Sequence, residues 1–433
     1  MLAGGEPNPV AWALLRRDLP AFVPGGGPAG GLFSDDLDEM LGWANQLEHS
    51  FVAIQGPPGT GKTFRGAHLV RVLLKAGKRV GITAMSHHAI DNLLEAVVAV
   101  FDDAHDLHEL RAVKRGTPPQ RDGLIGVDYA ATNKAAAKVG YNLVAGTTWL
   151  FAGNDMLAAP VDVLLIDEAG HLSLADALAA CRSARNPILL GDPLQLPQVA
   201  QAAHPGGGGR SVLEHVLGEH ATIPPQRGVF LSQTRRMHPD ACTFVSIEFY
   251  EGRLTSHPSC AGQTTELGTG LRWLRADHAG RVTESEEEAE IVAREIKRLL
   301  GSVWTNQRGE HVRLGLDDVL VVAPYNDQVA LLRARLDANP TTRGVAAGTV
   351  DKFQGRQAAA VFFTMTTSSA ADMRRSADFL FSRNRFNVAI SRARCLAYLV
   401  CTEELLNSRG RDIDEMRLIS TMCAFVEEIG RAS

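Results

Sequence analysis

The chain predicts an α/β fold of two tandem units, each built on a mostly parallel sheet. Three observations carry this prediction. Short apolar runs alternate with helix-length segments from Phe51 onward, the alternation begins again near Val229, and 433 residues suffice for two or three separately cored domains. The strands of the first series are FVAIQ (51–55), VGITA (80–84), LVAGT (143–147), VLLIDE (163–168) and PILLGD (187–192). Its helices follow Lys62, ending near Gly77, and run from Asp91 to Val100. The second series holds LRWLRA (271–276), a helix after Ser285, VLVVAPY (319–325), AVFFTM (360–365) and LAYLVC (396–401). Residues 1–36 are rich in Gly and Pro without a sustained period, which predicts a tail or linker. The expected domains are then 37–228, with a small insertion at about 101–142, and 229–433.

Composition narrows the class. A chain 45% hydrophobic and 21% charged is not wholesale disordered. No apolar run approaches the roughly 18 residues of a membrane span, and MLAGGEPNPV has no basic region followed by a hydrophobic stretch. No membrane partner is expected, and the default compartment is cytoplasmic. The net charge of −5 means that any nucleic-acid contact comes from local basic clusters. Six cysteines never approach C-x-x-C spacing, which argues against a zinc knuckle or disulfide framework and for reduced, mostly buried thiols. Ser285 and Glu288 have capping-box spacing, so the acidic run 284–290 reads as a solvated first helical turn.

Gly56-Pro57-Pro58-Gly59-Thr60-Gly61-Lys62-Thr63 satisfies G-x-x-x-x-G-K-[ST] between a strand and a helix. Glycines let successive N–H groups point at phosphate oxygens, and the helix N-terminus adds partial positive charge. Lys62 is the expected partner of the β/γ-phosphates, and Thr63 of Mg²⁺. Asp167 and Glu168 end an apolar strand: Asp167 is expected to hold the metal, and Glu168 to activate the attacking water.

The remaining segments carry a family resemblance. LLGDPLQLPQ (189–198), TRRMHP (234–239), VVAPYNDQ (321–328), TVDKFQGRQ (349–357) and FNVAISRAR (386–394) stand in the order and spacing of superfamily 1 helicase motifs. Over about residues 45–402 the chain resembles the branch of the nonsense-mediated-decay RNA helicase and its DNA-replication relatives. The resemblance implies two RecA-like domains with an ATP cleft between them. It also implies an ATP- and Mg²⁺-dependent helicase or translocase moving 5′ to 3′ on single-stranded DNA or RNA. It further implies a γ-phosphate sensor at Gln195, arginines at the γ-phosphate at Arg236 and Arg392, and nucleotide contacts at Arg235 and Gly355. The implied strand-binding face comprises Ser86 with the following HHAID segment, Thr147, Thr148, Pro324, Tyr325 and Thr349. An additional nuclease or accessory domain N-terminal to this chain, in a larger parent protein, is a further expectation.

Departures from the family pattern fall at the base and ribose. Asp38-Glu39-Met40 occupies the neighbourhood of the usual adenine-reading glutamine, Arg235 stands where a tyrosine is expected, and Gln357 replaces a glutamate. Other readings stay open. His87 and His88 are either strand contacts or a plain helix start, and Arg374, Arg375, Arg383 and Arg385 form either a solvated loop or a phosphate track. Arg111, Lys114, Arg115 and Arg121 make the 101–142 insertion a candidate grip on the strand. The alternative function is a nucleic-acid-stimulated clamp or remodeller that does not unwind.

Overall fold

The computed structural model describes residues 8–118, 123–196, 210–353, 355–373, 377–409 and 413–432. The chain divides into two compact units. The first runs to Ser232 without Pro58–Thr60 and Leu194–Leu196, and those two short pieces group with Gln233 onward in the second.

The first unit is an eight-stranded sheet. Its strands are β1 (Val52–Gln55), β2 (Val80–Thr83), β3 (Ala112–Arg115), β4 (Val127–Ala130), β5 (Leu143–Ala145), β6 (Val161–Ile166), β7 (Ala184–Gly191) and β8 (Gly228–Phe230). They lie in the order β4-β3-β5-β2-β6-β7-β1-β8, and every pairing is parallel. β1 is buried at all its positions, as a strand covered on both faces must be. Its register on β7, with Gln55 opposite Gly191, sets the phosphate loop beside the segment that follows β7. The helix Lys62–Lys75 then carries the chain to β2 and buries Gly66, Leu69, Val70 and Leu73.

Three expectations need correction here. Residues 8–36 are not a tail: Asn8 caps the helix Pro9–Arg16, which buries Val10, Ala11, Ala13 and Leu14. Asn8 Nδ2 donates to Cys181 O (3.1 Å), Phe33 N donates to Pro225 O (2.7 Å), and Phe33 meets the Trp43 ring edge-on at 5.3 Å. These are long-range contacts of single aromatic and polar residues, so they leave no periodic trace. The 101–142 segment is no appendage, because β3 and β4 extend the main sheet at one edge. The strand around Val229 does not open the second series but pairs with β1.

The second unit has a five-stranded parallel sheet in the order Gly270–Arg275, Ala393–Cys401, Ala358–Thr364, Val319–Val322, Ala346–Gly348. Phe362 and Tyr398 stack at 4.3 Å within its core. The helix Glu286–Leu299 buries Val292, Ile296 and Leu299 against it. Ser285 caps this helix as expected, accepting from Glu288 N (3.1 Å). Its first turn is not all solvated, however. Glu288 is fully buried, where it accepts from Thr366 N (2.9 Å) and meets His278 Nε2 at 3.1 Å. A buried carboxylate requires such partners, and they come from ten residues upstream and from beyond the sheet.

All six cysteines are free, and five are buried. No helix among the described residues is long and apolar enough to cross a membrane.

Candidate functional site

The phosphate loop follows β1 directly. Gln55, the last strand residue, is fixed through both ends of its amide: Nε2 donates to Ala221 O (2.9 Å) and Oε1 accepts from Ile223 N (2.7 Å). Gly61, at φ +79°, turns the chain into the helix Lys62–Lys75, whose first N–H groups have no intrahelical acceptors. Lys62 Nζ donates to Gly56 O and to Pro57 O (3.4 Å), which holds the ammonium over the mouth of the loop. Thr63 is half-buried in the first helical turn.

β6 delivers the carboxylates. Asp167 is buried, its N–H donates to Thr83 O (2.8 Å), and its Oδ1 accepts from Glu168 N (2.9 Å). Glu168 sits at φ +52°, a conformation uncommon for any residue but glycine. Burial, then the Asp167 charge, push the Glu168 carboxyl up to about 7, against the pull of Lys62. Burial also raises Asp167, with Lys62 again opposing. A buried carboxylate and a helix-start hydroxyl are the oxygen donors that a hard cation such as Mg²⁺ takes, and Asp167 and Thr63 would be the protein donors.

Two features here are absent from the sequence reading. His171 donates its N–H to Glu168 O (2.8 Å), and burial, then Lys62, push its imidazole down to about 4, so it is neutral. Its signal is the spacing within Asp167-Glu168-Ala169-Gly170-His171. The second feature is a glycine contact. A Cβ on Gly170 would stand 2.3 Å from Asp192 O, and one on Gly191 2.7 Å from Gly170 N. The turn carrying Glu168 therefore lies backbone to backbone on the segment after β7, a closeness only glycines permit.

The expected arginines lie in the second unit. Arg236 Nε donates to Gln357 Oε1 (3.1 Å) and its Nη1 to Ser391 O (3.2 Å), while Arg392 Nη1 donates to Arg356 O (3.0 Å). Arg392 is 4% exposed and its Nε is buried without a partner. Burial, then the Arg236 charge, push Arg392 down to about 9; burial, then Arg394, push Arg236 down to about 10. Among the described residues neither has a carboxylate partner. Two cations with neutral acceptors only form a site that an anion stabilises. Arg392→Ala is therefore expected to lower the ATP hydrolysis rate at least about tenfold more than it weakens ATP binding. Removing one of two repelling cations should leave the thermal midpoint near that of the wild type. Equal losses in rate and affinity, by turnover and nucleotide titration, would mark a plain binding contact.

The other expected nucleotide residues are placed as follows. Within the second unit, Thr234 Oγ1 donates to Pro58 O (2.8 Å) and Arg235 N to Gly59 O (2.9 Å), and the Arg235 side chain is exposed. Gly59, at φ +79°, has no room for a Cβ, which would meet Thr234 Oγ1 at 2.5 Å. Thr60 is buried. Gly355 is exposed at φ +82° with open space around it. Gln195 is half-buried and its carbonyl accepts from Asn384 Nδ2 (2.6 Å), while Asn387 Nδ2 reaches Leu194 O (2.9 Å). The Leu194-Gln195 backbone is thus tied to the helix Arg383–Ile390.

The expected strand contacts fall into two groups. In the first unit Ser86 and Thr147 follow the adjacent strands β2 and β5, at their carboxyl ends, and Thr148 opens the helix Thr148–Ala152. Ser86 Oγ accepts from Ala89 N (3.1 Å), capping a helix whose first residues, His87 and His88, are exposed. In the second unit Pro324, Tyr325 and Thr349 line one cavity of about 510 Å³ with Asp351, Phe379 and Arg385. Tyr325 is buried, its ring lies 5.6 Å from Phe379, and its hydroxyl has no partner. The basic clusters divide. Arg385 lies over the Phe379 ring at 4.3 Å, whereas Arg383 donates to Glu248 O and lies over the Phe249 ring. Lys114 pairs with Asp91 and Arg115 Nε donates to Asn133 Oδ1 (2.9 Å). Arg121, Arg374 and Arg375 lie outside the described residues.

Two family models, each described as an AAA domain, match residues 43–207 and 209–404. The chain is 26% identical to the DNA-binding protein SMUBP-2 of Mesocricetus auratus, over 95% of this chain and 46% of that protein. It is 24% identical to the DNA replication ATP-dependent helicase/nuclease DNA2 of Saccharomyces cerevisiae, over 86% of this chain and 26% of that one. The chain thus spans less than half the length of these relatives. An Arterivirus nonstructural protein 10 helicase, solved with DNA, aligns at a TM-score of 0.45 and 14% identity, over 86% of this chain and 63% of that one.

Proposed function

We propose that this chain is a superfamily 1 helicase that hydrolyses ATP with Mg²⁺ to move 5′ to 3′ along single-stranded DNA or RNA, a reading its similarity to AAA-domain models and to helicase relatives supports. The observation that carries this reading is that Lys62, Asp167 and Glu168 share one electrostatic environment at the carboxyl ends of β1 and β6. Such strand ends are where parallel α/β sheets bind ligands.

In the proposed reaction the loop N–H groups and Lys62 hold the β- and γ-phosphates. Glu168, with a carboxyl near the working pH, takes a proton from water as its oxygen bonds to the γ-phosphorus. The bond from that phosphorus to the β–γ bridging oxygen breaks, leaving ADP and inorganic phosphate. Thr63 and Asp167 would hold Mg²⁺, which would supply charge neutralisation at the phosphates. Arg236 and Arg392 gain their missing anion in the γ-phosphate, and Gln195 reports its presence to the strand-binding residues.

ATP turnover measured with and without short single strands tests this proposal. Stimulation is expected, fading as salt rises, because phosphate contacts dominate such binding. A rate indifferent to DNA and RNA strands would overturn it.

The base is expected to be read weakly. Arg235 presents an exposed guanidinium, which stacks on any purine without selecting its edge. The kcat/KM values for ATP and GTP should therefore agree within roughly tenfold, a difference below about 1.4 kcal/mol. A preference on the order of 10³ for ATP would place adenine recognition elsewhere.

A further inference from the structure

Trp149 is 81% exposed, the most exposed large apolar side chain among the described residues. An indole in that position is unusual, because tryptophan buries more apolar area than any other side chain and is ordinarily well covered. Its outward aim is fixed from below. It is the second residue of the helix Thr148–Ala152, whose next residues, Leu150 and Phe151, are fully buried. Phe151 fills the space over Gly81 of β2, where a Cβ would stand 2.7 Å from the ring, and Leu150 fills that over Gly146. Leu150 N donates to Thr147 O (2.9 Å), closing the turn. The ring is thus held out on a rigid base.

Its neighbours by topology are the loops that leave the same edge of the sheet, since β5 lies between β2 and β3. After β2 come Met85, Ser86, His87 and His88, all exposed, and β3 ends at Arg115. Residues 84–90, 115–118 and 146–150 contain no carboxylate, and the next one along the chain, Asp91, is paired with Lys114. These three loops therefore offer an aromatic face, hydroxyls and imidazoles without a carboxylate of their own, while Asp167 and Glu168 lie after β6 on the far side of β2, and such a combination accepts a base and its phosphate together.

We infer that Trp149 is a stacking platform for an unpaired base of the single strand, next to the Thr147-Thr148 phosphate contact. The inference rests on the proposed action on single strands and adds to it a contact with the base, where the expected threonine contacts reach only the backbone. Stacking on an indole is tolerant of sequence, so the platform would grip every nucleotide as the strand passes.

The test is binding of two fluorescent oligomers of equal length, one of thymidines and one of abasic sites, to the wild-type chain, Trp149→Ala and Trp149→Phe. The wild type is expected to bind the thymidine strand about tenfold or more tighter than the abasic strand. Trp149→Ala should lose at least about fivefold of that preference, with a wild-type circular dichroism spectrum and thermal midpoint, and Trp149→Phe should keep most of it. An unchanged preference in Trp149→Ala would overturn the inference and leave the proposed function standing. No binding of either strand by the wild type would overturn both. Loss of self-association in Trp149→Ala, by sedimentation, with strand binding intact, would reassign the ring to a protein contact.

Discussion

Lys62→Ala is expected to reduce ATP turnover by roughly 10³-fold or more in kcat/KM while the chain stays folded. The size of the effect follows from charge: the ammonium is the one cation on the loop of the first unit, and removing even a single neutral donor from a developing phosphoryl or acyl oxyanion costs about 10²–10³-fold. Retention of the fold follows from packing. Lys62 donates to Gly56 O and Pro57 O, both on the loop rim, and the helix behind it is held by Leu69, Val70 and Leu73. Turnover at the wild-type level in a variant with a wild-type thermal midpoint would remove the phosphates from this loop.

Glu168→Gln separates binding from chemistry. The amide keeps the shape of the side chain and the φ +52° turn but cannot accept the proton, so hydrolysis is expected to slow by roughly 10²-fold or more with nucleotide affinity retained. Burial and the Asp167 charge already work against the carboxylate, so its removal relieves repulsion, and the thermal midpoint should hold or rise. Single-turnover hydrolysis and nucleotide titration, run on one preparation, measure both halves. Loss of binding with unchanged single-turnover rate would exchange the roles of Asp167 and Glu168.

What the sequence made legible was local or periodic. The phosphate loop announces itself because strand, glycines and helix are contiguous, and the central strands of both sheets stand out as apolar runs, whereas the outer strands Ala112–Arg115, Val127–Ala130 and Ala346–Gly348 do not. What it concealed depends on distant partners. The Gly/Pro-rich first 36 residues hide a packed helix because Asn8 and Phe33 are held by Cys181 and Pro225, far along the chain. Glu288 looks solvated in an acidic run until His278 and Thr366 close on it. The strand at Val229 reads as the first of a new series, because a parallel strand carries no mark of which sheet it joins. Arg383 and Arg385 look alike two residues apart, yet one faces a backbone carbonyl and the other lines a cavity. His171 and Trp149 lie beside recognised motifs, but their meaning comes from burial in one case and exposure in the other.

The central claim is that hydrolysis at Glu168 drives movement along one strand. Its most direct test is displacement of a labelled strand from duplexes carrying either a 5′ or a 3′ single-stranded overhang, with ATP and Mg²⁺, comparing the wild type with Glu168→Gln. The wild type should release the label from the 5′-overhang duplex at a rate that rises with ATP, and Glu168→Gln should release none on the same time scale. Equal release by the two proteins, or release from the 3′-overhang duplex alone, would contradict the account.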